Sequence, residues 1–396
     1  MKPSRITRTV LVLLTAALLL LPFFAAAAPV TKEFRKDVAP KPGAVVVLEN
    51  LAGKVTVEGT KDGPVEIVAT IHAGSAELLE QLPVEVTESG SRIDVTARYP
   101  VDRHDVYRYS GEGSGGSGWG STSTTYLGRS VKVVDTNSSR GVELWVDFVL
   151  RLPSRTGANL SNAVGSIVAT NVDGPVTARS GSGNVRIEGG EGQTTARSGS
   201  GNVALAGRKG DVEARTGSGD VSVSGIGGSV TLNTGSGDAR LDGVTGSVDA
   251  HTGSGNVTIR RHDGDRVRVR TGSGEITLDS ARGNFAFNTG SGDIKWESLT
   301  VAGALAVSTG SGDVELSGDF GALADADVGT GSGDVLLRMA KAPGMSLNCH
   351  SSSGHIDVDV AGTTVRAEKK LELAVAGGGV PVKVRTASGS IRIAGK

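Results

Sequence analysis

Between residues 203 and 259 apolar side chains come in pairs at i and i+2. The pairs are Val203/Leu205, Val212/Ala214, Val221/Val223, Val230/Leu232, Ala239/Leu241, Val248/Ala250 and Val257/Ile259, and successive pairs stand nine residues apart. The residues between, Glu213, Ser222, Thr231, Arg240, Asp249 and Thr258, are polar or small. Alternation of this kind gives one apolar and one polar face, the pattern of a half-buried strand. Each pair therefore predicts one short strand.

A second period lies over the first. Gly-Ser-Gly begins at Gly181, Gly199, Gly217, Gly235 and Gly253 with a constant step of 18, then at Gly272, Gly290, Gly310 and Gly331 with steps of 19, 18, 20 and 21. A fixed period of this size marks an array whose units bury their apolar faces against one another. Two strands per period fit either a parallel coil or antiparallel hairpins, and identical corners at every second turn favour a coil that returns to the same edge. The predicted fold is all-β, a parallel β-solenoid with two short strands per 18-residue coil. At about 4.8 Å per coil the nine intact repeats form a rod section roughly 40 to 45 Å long. Glycine at the corners is expected to supply φ > 0. Ala163 stands 18 before Gly181 and marks a degenerate first corner, while Ser352-Ser353-Gly354 and Ala387-Ser388-Gly389 read as worn copies in a C-terminal cap.

The chain divides at three places. Residues 1–27 carry Lys2, Arg5 and Arg8, an apolar run from Val10 to Phe24 and a small-residue site at Ala25-Ala26-Ala27, which together read as a secretory signal peptide. Residues 28–160 form a less regular β region, with strands expected over 44–48, 54–58, 65–71, 84–87, 92–97 and 142–152 and a short helix near 76–81. Residues 161–396 form the repeat domain. Two passages link the second and third parts: Gly53-Lys54-Val55 leading to Asp62-Gly63-Pro64-Val65, and Gly165-Ser166-Ile167 leading to Asp173-Gly174-Pro175-Val176. That likeness allows the rod to start near residue 44 and to be interrupted by an insertion at 101–140.

All four tyrosines lie in or beside that insertion, and Tyr107, Tyr109, Trp119 and Tyr126 sit among Gly and Ser. Such a mixture offers rigid amphipathic contact area on an adaptable backbone, so these four residues are the candidate binding site. A mobile linker is the plainer reading of the same composition.

Composition narrows the chemistry. A formal net charge of −1 lacks the basic surplus of a nucleic-acid binder. Cys349 is the one cysteine, alternating with Leu347 as a buried apolar residue would. The six histidines show no His-Glu-x-x-His spacing, there is no Gly-x-Ser-x-Gly elbow, and the Gly-rich corners lack the Lys-Ser/Thr of a phosphate loop. Asn184, Asn202, Asp220, Asp238, Asn256, Glu275, Asp293, Asp313 and Asp334 follow the nine corners. They depart from the calcium β-roll nonapeptide in position and in frequency, and are expected to bond backbone amides of their own turn. No metal, cofactor or catalytic residue is assigned.

The run Thr-Gly-Ser-Gly-Asp-Val, the strand Val142 to Pro153 leading into Gly165-Ser166-Ile167, and the ending Gly389-Ser390-Ile391-Arg392-Ile393 resemble the bacterial putative-adhesin family of β-strand-repeat domains of unknown function. The resemblance implies an exported β-solenoid and supplies no ligand residue. The expected function is therefore a non-catalytic, adhesin-like rod in the periplasm, at the outer surface or secreted. Its partner would be an envelope or surface glycan or protein, with no nucleic acid and no membrane span after signal cleavage. The alternatives are a periplasmic scaffold or stress module binding a membrane protein, and a polysaccharide-active solenoid enzyme.

Overall fold

A computed structural model describes residues 29–111, 121–135 and 137–395. The predicted signal peptide and Trp119 lie outside the described residues. Each repeat strand pairs in parallel with the strand one coil further on. Val176–Ser180 pairs with Thr194–Ser198, then Val212–Thr216, Val230–Thr234 and Val248–Thr252. The alternate strands Ile167–Thr170, Val185–Glu188, Val203–Ala206, Val221–Ile226 and Ala239–Val244 pair in the same way. Two parallel sheets result, and the i, i+2 apolar pairs are the residues they bury. Because the register is one repeat, like stacks on like. Ala178, Ala196, Ala214, Leu232 and Ala250 form a column in one sheet, and Ile187, Leu205, Val223, Leu241 and Ile259 form one in the other.

The Thr-Gly-Ser-Gly-Asp corner has a separate reason for four of its five residues. The Thr or Ser before the first glycine is buried, and its hydroxyl serves two coils at once. Thr252 Oγ1 donates to the Gly237 carbonyl of the preceding coil (3.1 Å) and accepts from the Gly255 amide of its own corner (3.0 Å). The same pair of bonds recurs at Ser180, Ser198, Thr216, Thr234, Thr271 and Thr289.

The two glycines correct the expectation from sequence. Neither lies in the left-handed region. A Cβ on either would come closer than 3.0 Å to a carbonyl of the coil below, as at Gly235 over Gly217 and Gly237 over Gly219. Close stacking of backbones, and not turn conformation, demands glycine here. The terminal Asp or Asn is also corrected. Its side-chain oxygen accepts the amide of the equivalent residue one coil on, as in Asp238 N to Asp220 Oδ1 (2.9 Å) and Asn256 N to Asp238 Oδ1 (3.0 Å).

The second corner is where φ turns positive. Asn171, Gly189, Gly207, Gly225, Gly243, Arg261, Ser280 and Ser298 follow one another coil by coil with φ between +50° and +66°. From Val257 onward the strands run through this corner unbroken, as Val257–Thr271, Ile276–Thr289 and Ile294–Thr309. The interior there takes larger residues: Phe285, Phe287 and Trp296 pack with ring centroids 4.7 to 6.0 Å apart.

At both ends the stacking order departs from the chain order. Val45–Ala52 and Val55–Thr60 lie parallel against Gly157–Val164 and Ile167–Thr170, as layers of the same stack. Outside them lie Arg92–Ala97 and Val142–Pro153, although these come later in the chain. Antiparallel strands then close the end: Val84–Ser89 on one sheet, Val65–Ala73 and Val30–Val38 on the other. The helix Ala76–Glu80, N-capped by Ser75, joins two of these strands. The opposite end repeats the device in reverse. Asp325–Thr330 and Val335–Lys341 are followed in space by Val380–Thr386 and Ile391–Gly395, and only then by Met345–Ser351 and Ile356–Val360. Antiparallel Thr363–Ala367 and Lys370–Val375 close it. The two worn corners are thus full layers in exchanged order. From Arg92–Ala97 to Met345–Ser351 about fourteen layers at ~4.8 Å make a rod of roughly 65 Å.

Candidate functional site

The insertion forms a small sheet of its own, with Val106–Tyr109, Ser121–Tyr126 and Arg129–Asp135 beside the start of Val142–Pro153. Its tyrosines point inward. Tyr107, Tyr109 and Tyr126 are 0%, 3% and 3% exposed, as is Tyr99 at 3%. Tyr99 meets Tyr107 and Tyr126 edge-on at 5.3 and 5.6 Å. The Tyr126 hydroxyl donates to the Ala97 carbonyl (2.7 Å), and that of Tyr99 to Ala52 (2.9 Å). Burial raises the phenol pKa of Tyr99, Tyr107 and Tyr126. These rings fasten the insertion to the rod and present no contact surface in this arrangement.

Beneath them the buried hydroxyl column changes to asparagine. Asn162 Nδ2 donates to the Gly53 carbonyl (2.7 Å), and Asn50 Nδ2 to Val146 (2.9 Å). Thr122 of the insertion touches the rod corner through Ser182, oxygen to oxygen at 2.8 Å.

The outward positions are the surface the rod offers. One row stands immediately before the buried Thr/Ser column. Its members, in stacking order, are Arg179, Arg197, Arg215, Asn233, His251, Arg270, Asn288, Ser308, Gly329, Arg385 and His350. No acidic residue occupies this stretch, although the chain holds 42. Ser161 and Glu49 continue the line only where the hydroxyl column gives way to asparagine. The parallel row two residues back has Glu213, Asp249 and Asp327 together with Arg268 and Lys383. Glu213 pairs with Arg197 and Arg215 at 2.9 and 2.6 Å, and Asp327 with Arg385 at 2.6 Å. The side chains of Arg266, Arg268 and Arg270 form no ion pair or hydrogen bond among the described residues. Between Arg270 and Arg385 the side chains shrink to Asn288, Ser308 and Gly329, over a second row of Ala286 and Ala306. They leave a shallow depression of about 560 Å³ with arginine on both banks and Asp327, paired with Arg385, in its lining.

The sequence matches the family model Toastrack DUF4097 over residues 154–245, 209–330 and 244–394, which together span more than half of the chain. The chain belongs to the Toastrack DUF4097 family. No curated protein matches it. Among solved structures, this Toastrack chain is similar to a putative adhesin from Bacteroides fragilis NCTC 9343, at 12% identity and a TM-score of 0.34, covering 67% of this chain and 97% of that one. A putative adhesin from Parabacteroides distasonis ATCC 8503 shares 10% identity, with a TM-score of 0.28 and coverage of 92% and 97%. A putative lipid binding protein from the same organism shares 13%, with a TM-score of 0.27 and coverage of 78% and 94%.

Other chemistry in the Toastrack rod is sparse. Among the described residues no group of three or more His, Cys, Asp or Glu side chains is placed to hold a metal ion, and no helix is long and apolar enough to cross a membrane. The corner carboxylates are committed to backbone amides through one oxygen, and several pair with neighbouring cations, as Asp293 with Lys295 and Asp238 with Arg240 at 3.0 and 2.8 Å. Cys349 is buried between strands, and burial pushes its thiol up to about 12, far from the range of a reactive thiolate. The His72 and Asp147 side chains lie 3.1 Å apart, with Trp145 stacked on the imidazole at 4.8 Å. Asp147 also accepts the Lys54 amide at 2.7 Å, which ties the cap strands to the first coil.

Proposed function

We propose that this Toastrack protein acts outside the cytoplasm as a non-catalytic, adhesin-like rod that holds envelope or surface material along its flank. The observation that carries the reading is the outward face itself. Its side chains repeat at one coil spacing over the whole stack, and the depressions on it are shallow and open. A surface of that kind makes many equivalent weak contacts, which sum through avidity. An enclosed small-molecule site is, by contrast, concave and mostly apolar. The signal-like segment 1–27 supports export.

The reading is tested by measuring binding of the mature protein to intact cells and to isolated envelopes, together with protease accessibility of the native protein on intact cells. Saturable binding and external cleavage are expected. A folded protein that binds neither preparation would overturn it.

A further inference from the structure

Along the acid-free stretch Arg197 and Arg215 share Glu213, and Arg385 pairs with Asp327, both carboxylates of the neighbouring row, but nothing in the structure explains why the row itself holds no acid. The buried Thr, the two glycines and the corner Asp are each fixed by hydrogen bonding or stacking. The residue before the Thr points to solvent and could carry any polar side chain. It is arginine in five layers and histidine in two, while carboxylates are frequent on the opposite sheet and at the corner beyond. Like charges stacked at about 4.8 Å repel one another. Glu213 and Asp327 offset this around Arg197, Arg215 and Arg385, but Arg268 and Arg270 have no side-chain ion pair among the described residues and point to a ligand of opposite sign.

We propose that this row binds a linear polysaccharide bearing carboxylates, laid along the rod axis with its centre in the depression between Arg270 and Arg385. The inference rests on the surface-binding reading above and names the class of ligand. The shape calls for a polymer, because the cationic positions lie on a line and not around a pocket. Arginine suits carboxylate, which its planar fork meets with two hydrogen bonds. Arg268 and Arg270, without partners of their own, have no intramolecular ion pair to give up on binding. Asn288 and Ser308 between the banks offer donors and acceptors to sugar hydroxyls. A nucleic acid strand fits poorly, since its bases stack on exposed aromatic rings. The rings nearest the row, Phe285, Phe287 and Trp296, are buried in the interior.

The test uses the mature protein and polygalacturonate as probe, with dextran as uncharged control and single-stranded oligothymidylate as a nucleic acid. Binding to polygalacturonate that weakens with salt is expected, with no binding to dextran. The double variant Arg268→Ala/Arg270→Ala should bind at least tenfold more weakly and melt as the parent does. Arg260→Ala/Arg392→Ala, on the opposite sheet, should bind as the parent. Equal losses in both variants, or none in the first, overturn the placement. Oligothymidylate bound as tightly through the same arginines overturns the ligand class in favour of nucleic acid. A folded protein that ignores polygalacturonate but still binds envelopes overturns this inference alone. One that binds neither overturns the adhesin-like reading with it.

Discussion

A Cβ on Gly237 would press on the Gly219 carbonyl, whereas one on Gly225 has no neighbour closer than 3.8 Å and faces only its own φ of +60°. The two glycines of one coil are therefore kept for different reasons. The second glycine of the first corner is glycine from Gly183 through Gly237 to Gly333, Gly389 and Gly354, none at positive φ. Gly53 and Gly165 extend the column at φ +135° and +116°, and Val146 takes the place in the outermost layer beyond Gly53. The positive-φ column already accepts Asn171, Arg261, Ser280 and Ser298. Gly225→Asn should cost less than about 1 kcal/mol, since Asn tolerates the left-handed region. Gly237→Asn, which must push backbone off backbone, should cost about 3 kcal/mol or fail to fold. Chemical denaturation of both variants checks this, and equal losses would mean that conformation and not stacking selects glycine at the first corner. The period of this corner is plain in the sequence, but the reason for its residues is not. Glycine reads as a turn former, and only the coil beneath Gly237 shows what its missing side chain makes room for. The partner of the corner Asp is hidden for the same reason: an amide one full coil away along the chain is a neighbour only once the register is known.

The strands themselves were legible, because a buried column of Val, Leu, Ile and Ala repeats at i, i+2 in any coil that stacks in register. The second corner was less so, because its interior position varies while its backbone does not. Ile226, Val244, His262 and Ala281 fill that position in successive coils, and Arg208, 1% exposed, fills it one coil before Ile226. Arg208 donates to the Val172 and Gly192 carbonyls at 2.7 and 2.6 Å, occupying the space left by Gly190. His262 has no hydrogen-bond partner for either ring nitrogen among the described residues. Burial holds its pKa below the ordinary 6.5, against a smaller opposing influence of the nearby backbone and Asp263. The folded protein thus keeps this imidazole neutral, while the unfolded chain takes up a proton near pH 6.5. Stability is full above that pH and falls as pH drops from 6.5 toward the lower folded-state value. Melting temperature measured from pH 7.5 to 5 should decline more steeply for the native protein than for His262→Leu, which matches its apolar neighbours. Parallel curves would show that His262 carries no part of the acid sensitivity.

The exchanged order of coils at the two ends of the rod gives the molecule a stability profile that its chain order conceals. A solenoid that simply ran out would end in a layer with one neighbour, and its last residues would fray. Here Val380–Thr386 and Ile391–Gly395 are bonded on both sides. The Val335 amide donates to the Ser390 carbonyl and the Ile391 amide to His355, both at 2.9 Å, and Ser351 Oγ reaches the Gly389 carbonyl at 2.7 Å. The layer with an open edge is instead internal to the chain: Thr363–Ala367 on Ile356–Val360 and Lys370–Val375 on Met345–Ser351, with charged Arg366, Lys370 and Glu372 on its strands. Charge on an open edge opposes pairing with another sheet. Protection against amide exchange follows the number of bonded neighbours and the burial behind them. The amides of Val382, Val384, Ile391 and Ile393, although close to Lys396 in the chain, should therefore exchange as slowly as those of Val248 and Ala250 in mid-rod. Those of Thr364, Arg366 and Glu372 should exchange markedly faster. Hydrogen exchange resolved to single strands decides the matter. Protection that decays steadily from residue 341 toward 395 would mean that the coils stack in chain order, and that the final segment is not locked between its neighbours.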